Sequence, residues 1–411
     1  MSEKKNVPEL RFVGYTDTWE QRKLSELATV KDSARIPNSR WAKKGIPYIR
    51  ASDLSNNDLS GNLFLSEDTY QYYKNQTGAP ACGDVLFNGG GEIGKAVINR
   101  SENPIYVQGG AVLYVQTASS KMLDGEYLEA YFNTPFALKN IEILSAGGTM
   151  KHFTLGPAQS LPICFPAKTE QSMIGKSITQ LDTLITLQQR KCERLKNIKK
   201  AMLEKMFPRE GYDVPEIRFE GFSGAWERKK LSQIANIIGG GTPDTNNPDY
   251  WDGNIDWYAP AEIGENSYAE GSVRKITELG LQKSSATILP AGRTILFTSR
   301  AGIGKTAILR HSGATNQGFQ SLVLMDGYSP YFIYSMSESI KKKAEAVAAG
   351  STFLEISGKM LGNLDVMVPA KTEQDRIAAY FESLDHLITL HQQKHEKLKQ
   401  LKQSLLEKMF V

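Results

Sequence analysis

The segment PAKTEQSMIGKSITQLDTLITLQQRKCERLKNIKKAMLEKMF, Pro166 to Phe207, returns without a gap as PAKTEQDRIAAYFESLDHLITLHQQKHEKLKQLKQSLLEKMF, Pro369 to Phe410. A shorter block, PELRFVGYTDTWEQRKLSELA from Pro8 to Ala28, returns as PEIRFEGFSGAWERKKLSQIA from Pro215 to Ala235. Between these blocks, residues 29–165 and 236–368 are alike in length and unlike in sequence. A chain of 411 residues already exceeds what one hydrophobic core usually serves. Self-similarity of this kind predicts one frame built twice around two different contents.

The long repeated block reads as a helix. A proline stands just before each copy, Thr169 with Gln171 and Thr372 with Gln374 suit a helix start, and Gly175 is the one interior breaker. Apolar residues fall at Ile174, Ile178, Leu181, Ile185, Leu195, Ile198 and Met202, and again at Ile377, Phe381, Leu384, Ile388, Leu398, Leu401 and Leu405. Steps of three and four mark a seam that needs a partner helix, and Leu181, Ile185, Leu195, Leu384, Ile388 and Leu398 are its expected pairing residues. Roughly 38 residues at about 1.5 Å each make a rod of about 60 Å, too long for one small domain to cover. Two like halves pair most simply about a pseudo-twofold axis, which makes the rods antiparallel and puts the variable parts at opposite ends of a coiled-coil spacer. The expected division is a first head with its leading repeat at 1–165, a spacer helix at 166–209, a second head at 210–368 and a second spacer helix at 369–411.

Within the seam, Gln188 and Cys192 in one rod and His391 and His395 in the other interrupt the apolar steps. Such polar groups set register and pairing at some cost in stability. A metal site from Cys192, His391 and His395 is the competing reading, since His at i and i+4 share a helix face; no Glu follows His391 to complete a catalytic zinc motif. Cys82, Cys164 and Cys192 form no C-x-x-C pair, which argues for a reducing compartment. The start MSEKKNVPEL has no apolar signal core and no stretch approaches a membrane span. A cytoplasmic chain without membrane attachment is expected. Apolar content of 40%, charged content of 23% and a net charge of +4 describe an ordinary globular balance that leans slightly toward an anionic partner.

Both contents read as compact mixed α/β heads, giving an α+β chain overall. IPYIRAS, DVLFN, AVLYVQT, IDWYAPA, TILFTS and SLVLM read as strands, while DGEYLEAYFNTPFALKNIEIL and SPYFIYSMSESIKKKAEAVAA read as helices. One stretch, SRAGIGKTAI from Ser299 to Ile308, mimics an ATPase phosphate loop but has Ser299 where the first glycine belongs. Its counterpart GGGEIGKAV, Gly89 to Val97, has that glycine and lacks the hydroxyl, with Ala96 where Thr306 stands. Each reads as a tight turn that brings a lysine, Lys95 or Lys305, to the surface. NPDY at Asn247 and NPIY at Asn103 lack the second proline of the adenine-methyltransferase tetrapeptide and read as ordinary turns. With five histidines and no Ser/His/Asp or Cys/His grouping, catalysis within the chain is not expected.

Two unlike heads on a stiff spacer suit an extended partner read at two places, and double-stranded DNA fits that geometry. Polar residues near the glycine turns have the right chemistry: Asn88, Lys95, Gln108, Lys151 and His152 in the first head, Arg300, Lys305, Asn316 and Gln317 in the second. Arg and Lys match guanine O6 and N7, and Asn and Gln match adenine N6 and N7. A P-loop ATPase, a methyltransferase and a protein-joining scaffold are the alternatives.

GGGTPDTNNPDYWDGNIDWYAPAEIG at Gly239, SRAGIGKTAI, TNQGFQSL and GSTFLEISGKMLGNLDVMVPAKTEQDRIA at Gly350 closely resemble the target-recognition domain and following helix of type I restriction-modification specificity subunits. The duplicated blocks fit the same family, so the resemblance covers nearly the whole chain. The first head departs from it, with GGTMKHFT at Gly147 where the second has GSTFLEIS. The resemblance implies a non-catalytic subunit whose two recognition domains each read one half of a bipartite, asymmetric target in the major groove. It implies partners as well: two methyltransferase subunits and, through them, translocating endonuclease subunits. No cofactor belongs to this chain on that reading; the partners would bring S-adenosylmethionine, ATP and Mg. With about 34 Å per duplex turn, a 60 Å rod would set the length of the unread spacer.

Overall fold

A computed structural model describes residues 6–147, 151–264, 266–300, 302–348 and 354–411. The two repeated blocks form single helices of 38 residues each, Lys168–Lys205 and Lys371–Lys408. The chain divides into two compact units, residues 1–189 with 393–411, and residues 190–392. Each unit therefore takes one head, the opening half of one long helix and the closing half of the other.

In the first unit Glu20–Lys23 pairs antiparallel with Pro162–Phe165, Glu20 opposite Phe165, which brings the way into the head beside the way out. Arg11 from the short repeat then grips the start of the long helix, its Nε and Nη2 donating to Glu170 at 2.8 and 2.7 Å. Gln171, fully buried, donates to the carbonyls of Pro166 and Met122 and accepts from the Asp124 amide, all at 2.9 Å. So Gln171 holds the start of the head helix Gly125–Phe132 and does not cap its own helix, as its position had suggested. The head is closed from below by the last turn of the other long helix. Phe410 stacks on Tyr127 at 5.3 Å and meets Trp19 edge-on at 6.4 Å, and the Leu10 amide donates to the Lys408 carbonyl at 3.0 Å.

The second unit repeats this frame. Glu227–Lys230 pairs antiparallel with Asp365–Val368, Arg218 donates twice to Glu373 at 2.7 Å, and Gln374 binds the Pro369 carbonyl and the Ser329 amide. Phe207 takes the place of Phe410, 5.4 Å from Phe332 and 5.8 Å from Trp226. Ile217 donates to the Lys205 carbonyl at 2.9 Å, as Leu10 does to Lys408. Glu170 and Glu373 are buried carboxylates, so each is tolerated only because a guanidinium neutralises it and fills its oxygens.

Within each unit the long helices run antiparallel. In the first, Ile174 and Ile178 share a core with Leu406, Met409 and Phe410, and Asp182 accepts from Lys402 at 2.6 and 2.8 Å. In the second, Ile377, Phe381 and Leu384 share a core with Met202, Leu203 and Phe207, and Asp385 accepts from Lys199 at 2.6 and 2.7 Å. Of the expected pairing residues, Leu384 and Ile388 are buried, while Leu181, Ile185, Leu195 and Leu398 are half-buried. Leu401 departs from the expected seam: it is exposed, and Leu406 is buried one turn later, where the helix end turns into the head.

Each head is built on two small sheets. The first head has a four-stranded antiparallel sheet in the order Val30–Asp32, Val112–Val115, Val85–Asn88, Ala96–Ile98, and a second sheet in which Ile46–Ile49 lies parallel to Tyr106–Val107. The second head has a five-stranded sheet in the order Ala235–Gly239, Gln320–Leu324, Thr294–Phe297, Thr306–Leu309, Tyr268–Ala269. Beside it lie Arg274–Ile276, Trp251–Tyr258 and Gly313–Thr315, the last two parallel. Each stretch expected as one helix is two. The first breaks into Gly125–Phe132 and Pro135–Leu144 because Pro135 starts a new helix under a Thr134 cap that accepts from the Ala137 amide at 3.1 Å. The second breaks into Pro330–Ser335 and Ser337–Val347 at Met336.

Candidate nucleic-acid interface

The glycine stretch in the second head is a hairpin turn. Thr294–Phe297 and Thr306–Leu309 pair antiparallel with Phe297 opposite Thr306. The Thr298 amide donates to the Lys305 carbonyl at 3.0 Å and the Gly304 amide returns to the Thr298 carbonyl at 2.9 Å. Thr298 Oγ1 ties the turn from inside, donating to the Gly302 carbonyl at 2.6 Å and accepting from the Lys305 amide at 2.9 Å. Gly302 and Gly304 sit at φ +101° and +85°, where a side chain would be strained. A phosphate cradle needs the loop to run into a helix N-terminus, and here it runs into a strand. The first head repeats the device between Val85–Asn88 and Ala96–Ile98, with Asn88 and Lys95 in the places of Thr298 and Lys305.

Hydrogen bonds carry the second head's turn into its neighbours. The Ser299 amide donates to the Gly318 carbonyl at 2.8 Å, which brings in Asn316 and Gln317. The Asn316 amide donates to the Tyr258 carbonyl at 3.0 Å, and its side-chain oxygen accepts from the Gly318 amide at 2.8 Å. Gln317 is exposed and accepts from the Thr242 hydroxyl. The Gly239–Asp244 loop is then pinned by two indoles, Trp257 Nε1 donating to the Gly241 carbonyl at 2.9 Å and Trp251 Nε1 to the Asp244 carbonyl at 3.1 Å. Arg274 lies over Trp251, its guanidinium carbon 3.6 Å from the ring centre. Next to it Lys275 pairs with Asp256 at 2.7 Å. Burial works to raise the Asp256 pKa, but Lys275 and Ser272 outweigh it and hold the carboxyl below its ordinary value.

The expected residues are thus gathered in the second head: Lys305 and Gln317 are exposed, Arg300 and Asn316 half-buried, along one hydrogen-bonded run. In the first head Gln108 matches Asn316, its amide donating to the Ile49 carbonyl at 2.8 Å. Lys95 is half-buried and His152 exposed; a Cβ on Gly90 would stand 3.4 Å from His152 Nδ1, so the glycine turn lies against the imidazole. Lys151 is exposed and pairs with Glu142 at 2.8 Å, holding that carboxyl below its ordinary pKa. Asn88 is buried, donating to the Ala51 carbonyl at 3.1 Å and Ser55 Oγ at 3.0 Å, and serves as an internal strut of the turn. Of the Gly147–Thr154 and Gly350–Ser357 stretches, residues 148–150 and 350–353 lie outside the described residues.

Other sequence features resolve as structure. Pro248–Tyr250 is a short turn whose Asn247 accepts from the Asp249 amide at 3.0 Å, and NPIY leads into Tyr106–Val107. Cys82, Cys164 and Cys192 are unbridged, and burial pushes the Cys164 thiol up to about 11. Among the described residues, no group of three or more His, Cys, Asp or Glu is placed to hold a metal ion, and no helix is long and apolar enough to cross a membrane. Sequence reasoning passed over Glu170, Glu373, Trp251, Trp257, Thr242 and Arg274. The two glutamates had a signal, since TEQ recurs in both repeats; Arg274 had none.

Fold and site together define a class: a duplicated frame carrying two unlike binding heads, each with a polar run beside a glycine hairpin. The family model described as "Type I restriction modification DNA specificity domain" matches residues 16–197 and again 224–400, and the chain belongs to that family. The type I restriction enzyme MjaIX specificity subunit of Methanocaldococcus jannaschii is 33% identical over 190 residues, 45% of this chain and 44% of that protein, so this match spans under half of the relative. The putative MjaX specificity subunit of the same organism is 22% identical over 95% of this chain and 92% of its own length. In fold, the chain resembles the type I restriction-modification S subunit from M. genitalium, with TM-score 0.64 and 16% identity over 98% of this chain and 99% of that one. A chain from a study titled as the basis of complex assembly and conformational transition of the type I R-M system aligns with TM-score 0.51 at 17% identity, covering 95% of this chain and 97% of that one.

Proposed function

We propose that this chain reads a bipartite, asymmetric DNA target, one half per head, and leaves the chemistry to methyltransferase subunits that dock on its frame. The observation that carries the reading is the pairing of a repeated frame with unlike heads: Arg11 with Glu170 recurs as Arg218 with Glu373, while the polar runs beside the hairpins differ. A frame made twice offers the same docking surface twice. Leu184 and Leu187 are 42% and 44% exposed on the first long helix, and Leu387 and Leu390, at the matching repeat positions, are 42% and 46% exposed on the second. Matched apolar pairs of this kind suit two copies of one partner. Endonuclease subunits would join through those partners, which would also bring S-adenosylmethionine, ATP and Mg.

Binding of the purified chain to duplex pools tests this reading. We expect log affinity to fall steeply and linearly with log salt, as phosphate contacts release counterions, with no saturable binding of ATP or S-adenosylmethionine. Lys305→Ala should weaken all sequences alike, whereas Gln317→Ala should relax one base position in one half-site. Salt-independent partner capture without DNA binding would replace the reading with a scaffold, and nucleotide binding by the chain alone would replace it with an enzyme.

A further inference from the structure

We propose that Arg274 is a base-reading residue of the second head, a two-pronged donor presented to a guanine edge. The inference rests on the DNA-binding reading above and goes beyond it, because Arg274 belongs to no motif and lies away from the glycine hairpin in sequence.

Three observations carry it. First, the guanidinium lies over an aromatic platform, its carbon 3.6 Å from the centre of Trp251 and 5.8 Å from that of Trp257. A guanidinium held over an aromatic ring by its cation–π attraction keeps its N–H donors for a partner. Its neighbour Lys275 is committed to Asp256 at 2.7 Å, and elsewhere in the head Arg310 pairs with Glu270 at 3.4 Å and Arg293 donates to the Leu324 carbonyl at 2.6 Å. Arg274 is exposed, and among the described residues its side chain makes neither an ion pair nor a hydrogen bond.

Second, the platform is rigid and joined to the polar run. Trp251 and Trp257 are buried, meet edge-on at 5.1 Å, and donate their indole N–H groups to the Gly239–Asp244 loop. Thr242 of that loop donates to Gln317. A guanidinium already held over a ring loses less freedom when it binds, which is what a discriminating contact needs.

Third, the first head has a different chemistry at the matching point of its fold. Arg274 stands opposite Trp257 in the strand pairing. In the first head Tyr48 occupies the place of Trp257, since Ile49 and Tyr258 are the residues whose carbonyls accept from Gln108 and Asn316. The residue opposite Tyr48 is Leu63, whose carbonyl accepts from the Tyr48 amide at 2.8 Å. An aliphatic group there cannot donate to a base, so the two heads differ where unlike half-sites require it.

Selection of bound duplexes from a pool with both half-sites randomised, using the full chain, tests the proposal. Wild type should return two half-sites, one containing a guanine that Arg274→Ala ceases to prefer by about 5- to 150-fold, with the other half-site unchanged. Arg274→Lys keeps a charge but loses the flat fork, and should recover general affinity without recovering the guanine. It also serves where Arg274→Ala unfolds, an outcome read by a lowered melting temperature. Unchanged preference in both variants overturns the proposal, as does a uniform loss across all sequences that Arg274→Lys restores, which marks a phosphate contact. A wild-type chain that selects no sequence instead overturns the DNA-binding reading itself.

Discussion

The same aspartate–lysine pair is set differently in the two units. Asp182 meets Lys402 with its side chain 50% exposed, whereas Asp385, 16% exposed, accepts from Lys199 and also from Tyr331 at 2.6 Å and Ser267 at 3.2 Å. The first head reaches its long helix through Arg100, which donates to Glu129 at 2.8 Å and Thr179 at 3.3 Å. In the second, Arg310 lies 3.7 Å over Tyr268, and the Tyr268 hydroxyl bonds to Glu382, the repeat counterpart of Thr179. Frame contacts recur nearly atom for atom, while head-to-helix contacts reach the same end by different chemistry. The frame is therefore the invariant part of the machine, and a head need only fit it.

The largest expected effect removes an aromatic end piece. Phe410→Ala should cost about 3–5 kcal/mol and raise amide exchange through the first head's core at Val85–Asn88 and Val112–Val115. Phe207→Ala should do the same to Thr294–Phe297 and Gln320–Leu324. If either substitution loosens the wrong head, the pairing of helix ends with heads is mistaken. Next, Glu170→Ala and Glu373→Ala each leave a partly buried arginine unpaired, and both should lose about 3 kcal/mol in denaturant melts; a large inequality between them would show that the frames are not equivalent.

The aspartates should separate by burial. Asp385→Asn should lose about 2 kcal/mol, since several donors lose a charged acceptor, and Asp182→Asn less than about 1 kcal/mol. Equal losses would mean that Tyr331 and Ser267 add nothing. Smallest is the contrast at Gly175, where an added Cβ would come within 2.6 Å of the Tyr127 amide nitrogen, while the second unit carries Ala378. Gly175→Ala should cost about 1–2 kcal/mol despite its better helix propensity, because the head helix must back away. A stabilised variant would show that the close approach is not required.

The long helices were legible because their apolar steps persist over many turns and the duplication doubles the signal. Gly175 showed only as a breaker; its reason, the backbone of Glu126 and Tyr127 pressed against it, is tertiary. Leu401 misled because heptad spacing assumes a seam that continues, whereas the helix end bends its contacts toward Trp19 and Tyr127. The glycine turns were legible as turns but not as hairpins, since TAIL after Lys305 suits a helix or a strand until its partner is known. Two-residue strands such as Tyr268–Ala269 exist only through pairing with Thr306–Leu309 and leave no pattern to read. Within the candidate interface, polar side chains near the turns were legible by type, but type alone did not distinguish the buried strut Asn88 from the exposed Gln317.

Replacing residues 29–165 with a second copy of 236–368 tests the central claim most directly, because the flanking blocks of both heads are already alike. Target selection with that chain should return the second head's half-site in both halves of the recognised sequence. Retention of the original unlike halves, or loss of a two-part target in a chain that still folds, would contradict a common frame whose heads alone decide what is read.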